Sequence, residues 1–273
     1  MYNFGVIYNI NNNTIQHNNI NELLINTKNK INQLKNINLD KNYKIGILIP
    51  TTNKGKEWTR AEDTFLWNKT LKTLLNITNS KHTIVFYIGV DTNDKIWLKK
   101  NNYETVLKLK EKRDNIEFKF FKMINIDPGH VTEMWNRLYL HAYRDNCDYF
   151  LQCGDDIDFL TRNLLDDCIC MLKMHNNIGL TGPISENPTI LTQTFVSRKH
   201  MEIFNLYFPP QIKNWYCDDW INHVYQPNYY YPLLNHKCKN CGGNPRYTVQ
   251  NTDILSKLIN SGRIRLSQYL KNK

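Results

Sequence analysis

From Lys44 onward, short apolar runs alternate with segments of helical period, and no other feature of the chain limits its fold so strongly. Residues 44–49, 83–90, 116–121 and 148–153 are short and rich in β-branched and aromatic side chains, so they are expected as strands. Between them lie amphipathic stretches. Thr59-Arg60-Ala61-Glu62 has the form of a capping box ahead of Phe65, Leu66, Leu71 and Leu74, while 131–143 places Met134, Leu138 and Ala142 on one face. A third helix is expected over about 161–174. Strands separated by helices imply an α/β fold with a Rossmann-like, mostly parallel sheet flanked by helices. After Gly182-Pro183 the alternation weakens, and Pro209-Pro210, Pro227, Pro232 and Gly242-Gly243 mark a half expected to be irregular. Residues 1–43 read as an N-terminal extension packed on a single domain, 44–273, with no repeat and no long linker.

A chain of 273 residues, 41% hydrophobic and 22% charged, can bury a core without metal or disulfide staples. Its mean hydropathy of -0.56 owes much to 39 Asn residues, the usage of an AT-rich genome. That bias also tempers the net charge of +10. The lysines are scattered, as at Lys99, Lys100, Lys108, Lys110 and Lys112, without the Arg-rich helix or aromatic-interleaved basic motif of a nucleic-acid binder. A polyphosphate ligand suits the charge equally well. No apolar run of about 18 residues is present, so no membrane span is expected. Residues 1–10 lack the layout of a signal peptide, and seven Cys is an odd count, so reduced thiols in a cytoplasmic setting are expected.

Ligands of open α/β sheets sit at the carboxyl ends of the strands, which directs attention to Pro50-Thr51-Thr52, Asp91 and Asp155-Asp156-Ile157-Asp158. Three carboxylates within four residues repel one another unless a cation is shared, and hard oxygen donors suit Mn²⁺ or Mg²⁺ that also binds phosphate. The plain alternative is an N-cap with solvated acids. Asp91 can accept hydrogen bonds from a base or ribose, or can simply open the turn Asp91-Thr92-Asn93-Asp94. Asp218-Asp219 precede Trp220 where a helix would start, so either cap or general base is open to them. His236 is a candidate fourth metal ligand. Cys238 and Cys241 are half of a zinc-ribbon pattern with no second half, so free thiols are expected. Trp215 and Trp220 could stack on sugar faces or serve the core.

Taken in order, Lys44-Ile45-Gly46-Ile47-Leu48-Ile49-Pro50-Thr51-Thr52, Gly89-Val90-Asp91, Trp135-Asn136-Arg137, the run from Tyr149 to Asp158, and Cys217-Asp218-Asp219-Trp220 resemble the nucleotide-sugar glycosyltransferases of the GT-A fold. The acidic run looks most like the N-acetylglucosaminyltransferase IV type, with Gly154 where that type has Glu. The resemblance implies a nucleotide-binding half at about 44–160 and an acceptor-binding half at about 161–273. It implies nucleotide contacts from Pro50, Thr51, Thr52, Asp91, Asn136 and Arg137, and a Mn²⁺ or Mg²⁺ held by Asp156 with Asp158 or Asp155 second, a shell that His236 could complete if it is not structural. Asp219 would be the general base, with Asp218 in reserve, and Trp215 and Trp220 would meet a glycan or other hydroxyl acceptor. Metal-dependent transfer from a UDP-sugar, with inversion, is the expected reaction. Two rivals are a sugar-phosphate nucleotidyltransferase, for which the loop after the first strand has too few glycines, and an inactive binding module of the same fold.

Overall fold

A strand covered on both faces reads as a continuous apolar run rather than an alternating one, and β1 (Lys44–Thr51) and β2 (Thr83–Asp91) are of that kind, buried along almost their whole length. The computed structural model describes residues 39, 41–78, 81–110, 113–187, 189–243 and 253–272. β1 pairs in parallel with β2 on one side and with β4 (Tyr149–Gln152) on the other. β3 (Ile116–Met123) continues the parallel array beyond β2. The covering helices are α1 (Lys72–Ile77), which extends a π-helical segment Leu66–Leu71, α2 (Lys100–Lys110) and α3 (Val131–Arg144). α3 buries Met134, Trp135, Leu138, Tyr139 and Ala142 at helical spacing. It lies so close to β1 that a Cβ on Gly46 would stand 3.0 Å from the Cβ of Ala142, which is why glycine interrupts that apolar run.

The second half holds β5 (Ile157–Phe159), α4 (Leu164–Met174), β6 (Leu180–Ile184), β7 (Thr194–Ser197), α5 (Lys199–Phe204), α6 (Cys217–Tyr225), β8 (Tyr230–Asn240) and α7 (Leu255–Lys271). The strands complete one eight-stranded sheet in the order β3-β2-β1-β4-β7-β6-β8-β5. β7 runs antiparallel to β4 and β6, so β6 points the same way as β1 and β4. β8 then pairs in parallel with β6 and antiparallel with β5.

The expected α/β class stands, and the parallel half is where the sequence placed it. The second half is more regular than its prolines and glycines imply. Pro232 sits inside β8, where β6 and β8 shift register near Pro183 and Ile184. The capping box also differs: Arg60, not Thr59, pairs with Asp63 across a short 3-10 turn. The third helix starts at Leu164, behind Asn163 in the left-handed region. Residues 39–273 form one compact unit, whereas the expected extension 1–43 lies outside the described residues except for 39 and 41–43. All seven cysteines are unpaired thiols. Among the described residues no helix is long and apolar enough to cross a membrane.

Candidate active site

The topological switch falls between β1 and β4, and a crevice opens there beyond the carboxyl ends of both strands. It is a cavity of about 440 Å³, within the range that takes a small ligand. Pro50, Thr51 and Thr52 line it from the end of β1, and Gly154, Asp155 and Asp156 from the end of β4. Ser185, Glu186 and Asn187 after β6, Trp215, and Cys217 and Asp218 at the start of α6 complete the lining.

The acidic loop is braced from three sides. The π-helical segment brings the Thr70 hydroxyl to the loop, where it donates to the Gly154 carbonyl at 3.0 Å and accepts the Ile157 N–H at 3.0 Å. The side-chain oxygen of Gln193 accepts the Gly154 N–H at 3.0 Å. The Cys241 N–H bonds the Asp156 carbonyl, which lays the end of β8 over the loop. A side chain at either glycine would displace the Asp156 carboxylate: a Cβ on Gly242 would lie 1.9 Å from one of its oxygens, and a Cβ on Gly154 2.7 Å from the other. Gly154, which departs from the Glu of the resembled motif, thus has a steric reason.

Asp155 accepts the Thr51 hydroxyl at 2.7 Å and is almost fully buried. Thr52 donates to Asp91 at 3.1 Å, so Asp91 touches the loop that lines the cavity without lining it. Asp94 holds this loop in place by accepting the N–H groups of Asn53, Ile96 and Trp97 at 2.6–2.8 Å. Burial raises its pKa from 3.8, opposed by those three bonds.

Asp218 is the carboxylate that α6 contributes to this lining. Burial foremost, then the charge of Asp219, pushes it up to about 7, against a weak opposing bond from the Cys217 thiol at 3.6 Å. α6 is aimed by Asn222, whose amide makes two 2.8 Å bonds with the backbone of Leu191. Trp215, 40% exposed, stands at the rim.

Several expected site residues are placed elsewhere. Asp219 adjoins Asp218 but does not line the cavity. Asp158 is tied to Lys69 at 3.5 Å and to the Cys241 thiol at 3.3 Å. His236 is held at 2.7 Å by Asp167 of α4, not by the acidic loop. Asn136 is a buried clamp whose side chain bonds the backbone of Tyr207 and Phe208, and Arg137 is occupied by Glu133 and the Ile124 and Asn125 carbonyls. Trp220 is a core residue, packed edge-on to Phe204 with its indole N–H on the Leu258 carbonyl. Among the described residues, no group of three or more His, Cys, Asp or Glu side chains converges as a metal cage. Two adjacent carboxylates with a cavity in front of them nevertheless fit a hard divalent ion that takes its other ligands from water and a diphosphate. Ser185, Glu186 and Asn187 were missed, although they follow the apolar run of β6 and the end-of-strand rule reaches them. Gln193 carries no sequence signal of its role.

No family model and no curated protein sequence matches the chain. Solved structures do. One is the mannosyltransferase PcManGT from Pyrobaculum calidifontis in complex with GDP-Man and Mn²⁺, at a TM-score of 0.52 and 12% identity, covering 90% of this chain and 69% of that one. Another is residues 1–349 of S. aureus TarS in complex with UDP-GlcNAc, at a TM-score of 0.54 and 10% identity, covering 82% and 66%. The chain therefore has the fold of nucleotide-sugar glycosyltransferases, and it spans about two thirds of the length of these two solved chains.

Proposed function

We propose that the protein transfers a sugar from a nucleotide-sugar donor, a UDP-sugar, to a hydroxyl acceptor, with Asp218 as the general base. The observation that carries this reading is one cavity lined both by the Asp155–Asp156 carboxylate pair and by Asp218, a carboxyl raised to about 7. Asp155 and Asp156 would hold Mn²⁺ or Mg²⁺, which when bound offsets the charge that develops on the leaving diphosphate. Thr51 fixes the rotamer of Asp155, Gly154 and Gly242 leave space for the Asp156 carboxylate, and Asp91 and Thr52 flank the nucleoside side of the crevice. A carboxyl near 7 is ionised often enough at neutral pH to accept a proton and basic enough to keep it. Asp218 would take the acceptor proton across the cavity from the departing diphosphate, so attack on that face inverts the anomeric carbon. Trp215 at the rim offers the acceptor an apolar face.

The test is a thermal-shift and hydrolysis panel with UDP-, GDP- and ADP-sugars, each with and without Mn²⁺, beside ATP and GTP. Stabilisation by a UDP-sugar that needs the metal, and slow release of its sugar to water, support the reading. Stabilisation by nucleoside triphosphates alone would favour nucleotidyl transfer. Binding without turnover under any acceptor would leave a binding module. Asp155→Asn and Asp156→Asn should each weaken metal-dependent UDP binding about tenfold or more, as second-sphere and ligand changes do at such sites, whereas Asp158→Asn should not.

A further inference from the structure

A second concavity lies away from the active-site cavity, between α5, α6 and α7, with a volume of about 310 Å³. Its walls are Phe204, Leu206, Phe208, Pro209 and Trp220 on one side and Leu258, Gly262 and Arg265 of α7 on the other. Apart from Arg265 and a few small polar groups this lining is apolar, and Leu206 is 37% exposed at its edge.

The helix that forms one wall continues the pattern outward. At about 100° per residue, Lys257, Ile264 and Lys271 fall on one line along α7, and Ile254 lies between that line and the groove wall that includes Arg265. Ile254 and Ile264 are 42% and 58% exposed. No Asp or Glu occurs from residue 254 to 273, and among the described residues no carboxylate pairs with Lys257, Arg265 or Lys271. Asp253 precedes the helix, and Glu202 of α5 accepts the Tyr269 hydroxyl.

Exposed isoleucines interleaved with cations, beside an apolar groove, match a membrane interface, where side chains enter the acyl boundary and ammonium groups face lipid phosphates. A second copy of this chain is disfavoured, because two helices that carry cations and no acid of their own, in a protein of charge +10, would repel. Nucleic acid would use the cations but not the isoleucines or the groove. We propose that the groove and the adjoining strip of α7 dock on an anionic phospholipid bilayer, with Leu206, Ile254 and Ile264 at the acyl boundary and Lys257, Arg265 and Lys271 on the headgroups.

Flotation of the whole chain with vesicles tests this, using phosphatidylcholine alone or with about a quarter phosphatidylserine. The protein should float with the anionic vesicles only, and less in high salt. Lys257→Gln and Lys271→Gln should each lower partitioning about fivefold and together about 25-fold. Ile264→Asn should lower it about tenfold, whereas Lys108→Gln on α2, an equal change of net charge, should leave it unchanged. Circular dichroism and thermal melting check that each exposed substitution leaves the fold intact. Absence of flotation, equal binding to neutral vesicles, or equal loss in Lys108→Gln would overturn the proposal. Indifference to Ile264→Asn together with competition by duplex DNA would reassign the strip to a polyanion.

Discussion

Asp218→Asn separates the catalytic and structural consequences of one half-buried carboxyl. Its pKa rises from 3.8 to about 7, chiefly through burial, so the folded state holds this proton about three pH units longer than the unfolded chain does. The sign follows from that order: the contribution to stability is complete below pH 3.8 and is lost as pH rises to about 7. With about 1.4 kcal/mol per unit, the ionised form costs on the order of 4 kcal/mol above pH 8, an upper bound because the group faces a solvent-accessible cavity. Asn keeps the shape and the helix start without the charge. The variant should therefore melt with wild type at pH 4 and higher than wild type at pH 8, by about 2–4 °C for each kcal/mol recovered. Turnover should fall about 10²–10⁴-fold at pH 8 with donor affinity retained. In wild type, log kcat/KM should decline with unit slope below about pH 7. A variant less stable at pH 8, or one that keeps full turnover, would refute the assignment of Asp218.

Asp219→Asn removes the neighbouring charge that helps raise Asp218, so the acid limb of the rate profile should shift to lower pH while turnover at pH 8 changes only slightly, as steady-state kinetics across pH would read. Gly242→Ala forces a Cβ to within 1.9 Å of the Asp156 carboxylate, and displacement on that scale should cost about 10²-fold in transfer rate with a smaller change in melting temperature. Asp94→Ala orphans three backbone N–H groups and should destabilise by about 3 kcal/mol in urea titrations, weakening UDP binding through the loop it anchors.

The parallel half was legible because β1, β2 and β4 are buried on both faces and so appear as unbroken apolar runs, and because α3 carries a plain 3.6-residue period. The same rule located Thr51, Thr52, Asp155 and Asp156, whose place follows from strand ends alone. β8 was hidden: Tyr-Tyr-Pro-Leu-Leu-Asn-His-Lys-Cys-Lys-Asn has neither clean alternation nor a continuous run, because its two neighbours, β6 and β5, bury different stretches of it. The backbone bonds of Asn136 and Arg137 were not legible either, since a polar side chain on a helix reads the same in sequence whether it meets a ligand or clamps a neighbouring backbone.

The choice between Asp218 and Asp219 shows where local pattern stops being informative. Both precede Trp220 and both fall in the first turn of α6, so composition and spacing treat them alike. The helix, however, advances about 100° per residue, and only one of two adjacent carboxylates can face the same wall. Its azimuth is set at a distance, by Trp220 and Ile221 entering the core and by Asn222 bonding Leu191 in the connection between β6 and β7. Those long-range contacts turn Asp218 toward the cavity, where desolvation and the charge of Asp219 raise its pKa together. Asp219 thus retains a part in the proposed chemistry, as the neighbour that tunes the base.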